Sequence, residues 1–154
     1  MQYYEDFEVG QTLHSVKSHT MTEEEIIEFG IRWDSQPFHT DPVAAKASEF
    51  GGLVASSTHL FAISVGLWNE PDLDESERTA VISALGFNNI KLKLPARPGD
   101  VLTATSSVID KRESRSRPGV GILVFHDTMR NQENKVVFEV ENSALIKMRP
   151  FQGT

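Results

Sequence analysis

The residues with the clearest chemical potential are Asp34 and His39, which lie five positions apart in the segment 33–42. A carboxylate and an imidazole can exchange protons near neutral pH. Pro37 stands between them and restrains the backbone, which can turn both side chains toward one cleft. The spacing therefore indicates a general acid–base pair. It also fits a structural interpretation, in which Asp34 ends a helix or shapes a turn and His39 is a hydrogen-bonded, partly buried histidine.

A helix is expected immediately before this segment. Thr22 and Glu25 form the T-x-x-E pattern of a capping box, and the helix is expected to run from there to about residue 32. Pro37 and Pro42 each remove a backbone donor and disfavour helix in the residue before them. Residues 33–42 are therefore predicted to form a structured loop, held by the end of the preceding helix.

The rest of the chain predicts a buried helix and an antiparallel sheet. Asp41 before Pro42 is expected to cap a short helix over residues 43–47. Residues 53–68 are apolar on nearly every side, which is typical of a helix enclosed by other elements. These elements predict an α+β fold in which the sheet curls around a central helix. The strands are expected at about residues 12–18, 80–94, 101–111, 119–131 and 135–148, with a polar connection at 70–78.

Composition and charge limit the classes of partner. A length of 154 residues suits one domain, so residues 1–154 are predicted to form a single domain. The net charge of -7 provides no positive field for nucleic acid or an anionic membrane. The chain has no cysteine and no apolar run of the roughly 18 residues that a membrane helix needs, so a cytoplasmic protein is expected. A free sheet edge would favour a homodimer, or a dimer of dimers.

The segment Asp34-Ser35-Gln36-Pro37-Phe38-His39-Thr40-Asp41-Pro42 resembles the hydratase motif of the MaoC-like dehydratases, which include the (R)-specific enoyl-CoA hydratases. Residues 4–10, YEDFEVG, and residues 97–102, RPGDVL, resemble other parts of that family, so the resemblance covers nearly the whole chain. It implies the hot-dog fold, an antiparallel sheet wrapped around a central buried helix. This sequence departs from the family pattern at three positions, with Trp33 for a small residue, Gln36 for Asn and Ser57 for Gly.

The resemblance implies a hydro-lyase of fatty acid metabolism that reversibly adds water to the double bond of an enoyl thioester. Asp34 would act as general base, His39 would orient the water and share its proton, and the backbone N–H of Ser57 would donate to the thioester oxygen. No cofactor is implied beyond the coenzyme A of the substrate, for which an acyl-carrier-protein thioester is the alternative. Thioester hydrolysis by a hot-dog thioesterase and acyl-thioester binding without catalysis stay open as alternatives.

Several further residues are candidates for contact with the substrate. Trp33 and Phe38 suggest a bulky wall that favours a small acyl chain. Cationic side chains lie near residue 92 of the predicted strand and just after the strand ends. They can bind coenzyme A phosphates, or they can lie on a strand face exposed to solvent. His59, within the apolar helix, is predicted to be a satisfied core histidine, and no metal site is expected because His39 and Asp41 lack a third ligand at a suitable spacing. The substrate-binding candidates are Trp33, Gln36, Phe38, Ser56, Lys91, Lys93 and Arg97.

Overall fold

The computed structural model describes residues 1–69 and 73–150. Four helices lie in the first half of the chain: α1 (Glu23–Trp33), α2 (Pro37–Thr40), α3 (Pro42–Ala47) and α4 (Ser57–Gly66). A 3-10 turn at Tyr4–Asp6 and two short strands, β1 (Thr12–His14) and β2 (His19–Thr20), precede them. The long strands follow: β3 (Val81–Leu92), β4 (Val101–Glu113), β5 (Val120–Arg130) and β6 (Val136–Lys147). No helix among these described residues is long and apolar enough to cross a membrane.

The strands form one antiparallel sheet. Its order is β1-β4-β5-β6-β3, and β2 pairs with β4 beside β1. The long strands β4, β5 and β6, which follow one another in the chain, are in the middle of this order. β3 stands at the end, where it pairs only with β6 among residues 1–69 and 73–150. β3 therefore forms an edge of the sheet, and most of its residues are exposed.

Helix α4 packs against this sheet. Leu60 and Ile63 of α4 share one apolar core with Leu67, the residue that follows the helix, and with Leu102 of β4 and Phe138 of β6. Burial of side chains of this size stabilises the fold by about 1.5–3 kcal/mol each. The predicted arrangement of an antiparallel sheet around a buried helix is confirmed.

The helix α4 is shorter than predicted, because residues 53–56 are not helical. Val54 donates its backbone N–H to the carbonyl of Phe38, and Ala55 donates to the carbonyl of Ala96. These bonds join the segment to two distant parts of the chain. Ser56 is the N-cap, with extended dihedral angles (φ -64°, ψ 151°), so the helix begins at Ser57. The prediction of helix over residues 53–56 was wrong, because Ser56 caps the helix and the residues before it bond to distant segments.

The predicted loop at residues 33–42 also contains a helix, α2. Pro37 occupies its first position, where the missing N–H needs no helical partner. The helix closes with a hydrogen bond from the Asp41 N–H to the Pro37 carbonyl, at 2.9 Å. His39 therefore lies on one short turn of helix, not on irregular backbone.

The first strand ends earlier than the predicted residue 18. The side-chain oxygen of Ser15 accepts the backbone N–H of Ala104 at 3.0 Å, so a side chain takes the place of the next backbone partner in the ladder. The strand pairing resumes only at His19. Of the polar connection predicted at residues 70–78, residues 70–72 lie outside the described residues.

Candidate active site

Helices α1 and α2 bring Asp34 and His39 together. Asp34 is the residue at the end of α1, where its N–H donates to the Gly30 carbonyl. His39 lies on α2, and its Nε2 is 3.5 Å from Asp34 Oδ2. The imidazole is buried, with 8% of its side chain exposed, whereas 33% of the Asp34 side chain is exposed. The pair thus has one member in the protein interior and one that solvent reaches.

A backbone hydrogen bond fixes the protonation site of a neutral His39 ring. Its Nδ1 is 2.6 Å from the carbonyl oxygen of Val54. Since a carbonyl oxygen can only accept, Nδ1 carries the hydrogen, and Nε2 of the neutral ring presents a lone pair toward Asp34. The 3.5 Å between the two side-chain atoms lets one water molecule lie about 2.8 Å from both.

A cavity of about 340 Å³, called the first cavity, is lined by His39, whereas Asp34 is not among its lining residues. Ser57, the first residue of α4, contributes to its wall. N–H groups of the first helical turn have no intrahelical partner and lie at the positive end of the helix dipole, so they favour a developing negative charge. Ser56 is the N-cap, and its side-chain oxygen accepts the N–H of Thr58 at 3.2 Å. The lining residues are Phe38, His39, Phe50, Val54, Ala55, Ser57, Leu60, Leu92, Lys93, Leu94 and Pro95.

Trp33 and Gln36, two of the predicted substrate-binding residues, do not line the first cavity. The side chain of Trp33 is 67% exposed and lies 5.2 Å from the guanidinium of Arg32. Gln36 is exposed and precedes α2, where its backbone carbonyl accepts the N–H of His39. Phe38 does line the cavity, and its ring meets the His39 ring edge-on at 4.6 Å. Of these three residues, Phe38 is therefore the one that lines the first cavity.

The predicted cationic residues differ in their position. Lys93 lines the first cavity, with its Nζ 3.6 Å from Glu139. Arg97 donates from Nη2 to the carbonyl oxygen of Phe50, another lining residue. Lys91 is exposed and absent from the lining. Lys93 thus lines the first cavity, whereas Arg97 contacts one of its lining residues, and the contact of either side chain with a substrate stays a prediction.

The sequence did not predict a polar cluster that the structure forms from His59, Glu25 and His19. His59 stacks on Phe29 with ring centres 4.4 Å apart, and its Nε2 is 3.5 Å from Glu25 Oε1. The same oxygen is 2.7 Å from Nε2 of His19. His59 is buried as predicted, but its Nδ1 has no hydrogen-bond partner among residues 1–69 and 73–150. The hydrogen-bonding groups of His59 are therefore only partly satisfied. The T-x-x-E pattern had predicted only a capping role for Glu25.

His59 is expected to make the fold sensitive to acid. Burial lowers the pKa of His59 below its usual 6.5, with nearby His19 and His39 acting in the same direction and Glu25 opposing them. As the pH falls below about 6.5, the unfolded chain takes up this proton while the folded chain resists it, so stability decreases. We expect His59→Phe to reduce the fall in Tm between about pH 7 and about pH 5. Unchanged pH dependence in thermal denaturation would contradict this.

Gly30 is expected to set the position of His39. A Cβ at Gly30 would lie 2.9 Å from the His39 carbonyl oxygen and 3.0 Å from His39 Cβ, so α2 would have to move away from α1. A displacement of about 1 Å can lower a catalytic rate by about 10²-fold. We expect Gly30→Ala to lower kcat for the reaction proposed below. Gly66→Ala, whose Cβ would meet no atom within 4 Å, is the control and should keep the parent rate.

The sequence profile of the MaoC-like domain matches residues 6–128. An uncharacterized protein of Bacillus subtilis, YdeM, is 32% identical over 143 residues, which are 93% of this chain and 97% of that protein. The mesaconyl-CoA hydratase of Haloarcula hispanica is 31% identical over 107 residues, 66% of this chain but 28% of that larger protein.

Solved structures share the architecture. A MaoC-like dehydratase from Rhodospirillum rubrum has a TM-score of 0.87 and 31% identity, covering 98% of this chain and all of its own. The R-hydratase PhaJ1 from Pseudomonas aeruginosa has a TM-score of 0.74 and 21% identity, and the match covers 96% of this chain and 86% of that chain. Rv0216 from Mycobacterium tuberculosis, which has a double hot-dog fold, has a TM-score of 0.77 and 16% identity. The match covers 99% of this chain and 46% of that chain. The predicted hot-dog fold is confirmed.

Proposed function

Since the chain belongs to the MaoC-like dehydratase family, we propose that it is a hydro-lyase that interconverts an enoyl thioester and the corresponding 3-hydroxyacyl thioester. The observation that carries this proposal is the pair of Asp34 Oδ2 and His39 Nε2, which lie 3.5 Å apart, with His39 in the wall of the first cavity. The name of the related mesaconyl-CoA hydratase, an enzyme of an unsaturated acyl-CoA, supports the reaction type.

The proposed reaction begins with a water molecule held by both side chains. Its two hydrogens point to the Asp34 carboxylate and to the lone pair on His39 Nε2, which leaves an oxygen lone pair for C3 of the substrate. As the C3–O bond forms, Asp34 accepts one proton from the water. The pair then returns a proton to C2 on the same face, so that water adds across the double bond and Asp34 ends as a carboxylate. Dehydration follows the same steps in reverse.

The negative charge that develops on the thioester oxygen must be stabilised by hydrogen-bond donors. The backbone N–H of Ser57 is the proposed donor, because it belongs to the first turn of α4 at the wall of the first cavity. A serine in place of the family's glycine retains this N–H. Ser56 holds the turn in place through its cap, and Lys93 and Arg97 are the proposed partners of the coenzyme A phosphates. No cofactor is proposed apart from the coenzyme A of the substrate.

The free edge of β3 supports a homodimer. Four apolar side chains of this strand are each 50–55% exposed: Val81, Leu85, Ile90 and Leu92. Within the described part of the chain, no strand pairs with β3 on the side away from β6. We propose that a second copy of the chain pairs with this edge. Leu92 also lines the first cavity, so the partner would lie next to the cavity mouth. Sedimentation of the parent protein tests this proposal, and a monomer at micromolar concentration contradicts it.

An acyl panel tests the reaction. Enoyl-CoA esters of increasing length are supplied, and both the loss of enoyl absorbance and the release of thiol are followed. Hydration without thiol release is expected, with short acyl chains preferred because Phe38 narrows a first cavity of only about 340 Å³. Thiol release in place of hydration would indicate a thioesterase, and binding without turnover across the panel would indicate a non-catalytic protein. A preference for long acyl chains would contradict the argument from the volume of the first cavity, but not the proposed reaction.

A further inference from the structure

The base and the donor of the proposed reaction belong to different helices. Asp34, the proposed base, ends α1, whereas the N–H of Ser57, the proposed donor to the thioester oxygen, belongs to the first turn of α4. Their relative position depends on how this turn is held against α1. Since a displacement of about 1 Å can lower a catalytic rate by about 10²-fold, contacts between the two helices bear on the rate as well as on stability.

His59, in the first turn of α4, makes two side-chain contacts with α1. Its ring stacks on the ring of Phe29, with centres 4.4 Å apart and planes 4° from parallel. Its Nε2 is 3.5 Å from Glu25 Oε1, and only 9% of the His59 side chain is exposed. The other ring nitrogen, Nδ1, has no hydrogen-bond partner in the part of the chain that the structure describes. Glu25 is therefore the polar group that orients this buried ring.

A second histidine fixes the Glu25 carboxylate from another element. His19 Nε2 lies 2.7 Å from the same oxygen, and His19 belongs to β2, which pairs with β4 of the sheet. Because a carboxylate oxygen can only accept, the neutral rings of His19 and His59 each present an N–H to it. The side-chain oxygen of Thr22 also accepts the backbone N–H of Glu25, at 3.1 Å. Glu25 thus joins the sheet, α1 and α4 through one carboxylate oxygen.

We propose that Glu25 is a positioning residue for the hydration, which through His59 fixes the first turn of α4, and with it the Ser57 N–H, relative to α1. This inference rests on the proposed function. Glu25 lies in the first turn of α1 and Asp34 at its other end, a separation of about 14 Å along the helix axis. Glu25 is thus too far from Asp34 to exchange a proton with it, and it acts through the position of α4.

Glu25→Gln tests this role, because the amide keeps the size of the side chain but accepts the histidine N–H groups less strongly than a carboxylate. We expect kcat for enoyl-CoA hydration to fall about tenfold. KM should stay within about twofold of the parent value, because a donor to the developing charge acts mainly on the transition state. Glu24→Gln removes an exposed carboxylate from the same helical turn, so it is the matched control and should keep the parent kcat.

Ser57→Pro tests whether Glu25 acts through the Ser57 N–H. Proline lacks this N–H and is favoured at the first position of a helix, and Ser56 already has the extended backbone (φ -64°, ψ 151°) that precedes a proline. The position of a donor that is absent cannot affect the rate. Glu25→Gln should therefore lower kcat by less than about twofold in the Ser57→Pro background, whereas a further tenfold loss would overturn the proposal.

Hydrogen exchange gives a readout that needs no activity. The N–H groups of Thr58 and Leu60 bond to the side chain and the carbonyl of Ser56, within the first turn of α4. Their exchange should be about tenfold faster in Glu25→Gln and unchanged in Glu24→Gln. The central strands β5 and β6 are the reference for overall stability, and their exchange should change less than that of α4.

The outcomes separate this inference from the proposed function. An active parent protein with unchanged exchange or unchanged kcat in Glu25→Gln would overturn the role of Glu25 alone. Equal acceleration of exchange in α4 and in the central strands would also overturn it, because Glu25 would then only stabilise the whole fold. A parent protein that hydrates no enoyl thioester would overturn the proposed function and with it any role of Glu25 in hydration. The exchange rates decide the hold on α4 even if Ser57→Pro does not fold.

Discussion

Asp34→Asn is expected to lower kcat/KM for hydration of a short enoyl-CoA by about 10²–10⁴-fold. The amide has the shape of the carboxylate and can still bind the water, but it cannot take up the proton that leaves when the C3–O bond forms. Asp34 lies at the end of α1 and is one-third exposed, so the fold should tolerate the change. The rate is measured from the loss of enoyl absorbance, with Tm as the measure of folding.

Asp41→Asn is the matched control for this experiment. Asp41 belongs to the same motif, but its carboxylate accepts the N–H groups of Val43 and Ala44 and so caps α3. Asparagine caps helices about as well as aspartate. The control should therefore retain both activity and Tm. Full activity in Asp34→Asn would remove the general base from the proposed mechanism.

His39→Asn is expected to reduce kcat/KM by a similar 10²–10⁴-fold while leaving the fold nearly unchanged. The asparagine amide can place an N–H close to the position of His39 Nδ1, where it can keep the hydrogen bond to the Val54 carbonyl. It has no group at the position of Nε2, so the water loses its second acceptor. Activity and Tm, measured on the same preparation, separate the chemical role from the structural one.

His39→Ala provides the comparison, because it removes both functions of the ring. The Val54 carbonyl then loses its buried partner, which costs about 1–3 kcal/mol of stability. We expect His39→Ala to be as inactive as His39→Asn but less stable. If His39→Asn instead keeps the parent rate, the imidazole is only the hydrogen-bonded, partly buried histidine of the structural interpretation.

Much of the fold was predictable because its signals are local. Asp41 caps α3 as predicted, and the side-chain oxygen of Thr22 accepts the Glu25 N–H at the start of α1. The four long strands lie within about three residues of their predicted bounds, since alternation of apolar and polar residues reflects the two faces of a strand. The resemblance to the family directed attention to Asp34 and His39, whose spacing alone left a structural role open.

The sequence by itself thus determined the starts of α1 and α3 and the four long strands, and its family resemblance indicated the pair of residues that the proposed chemistry needs. Only the tertiary structure decided that Asp34 and His39 lie 3.5 Å apart, that the Val54 carbonyl fixes the ring hydrogen, and that Glu25 meets His59. It also placed Trp33 at the surface, outside the first cavity. The physical reason is range: caps and alternation depend on neighbours a few positions away, whereas these contacts exist only after distant segments have packed together.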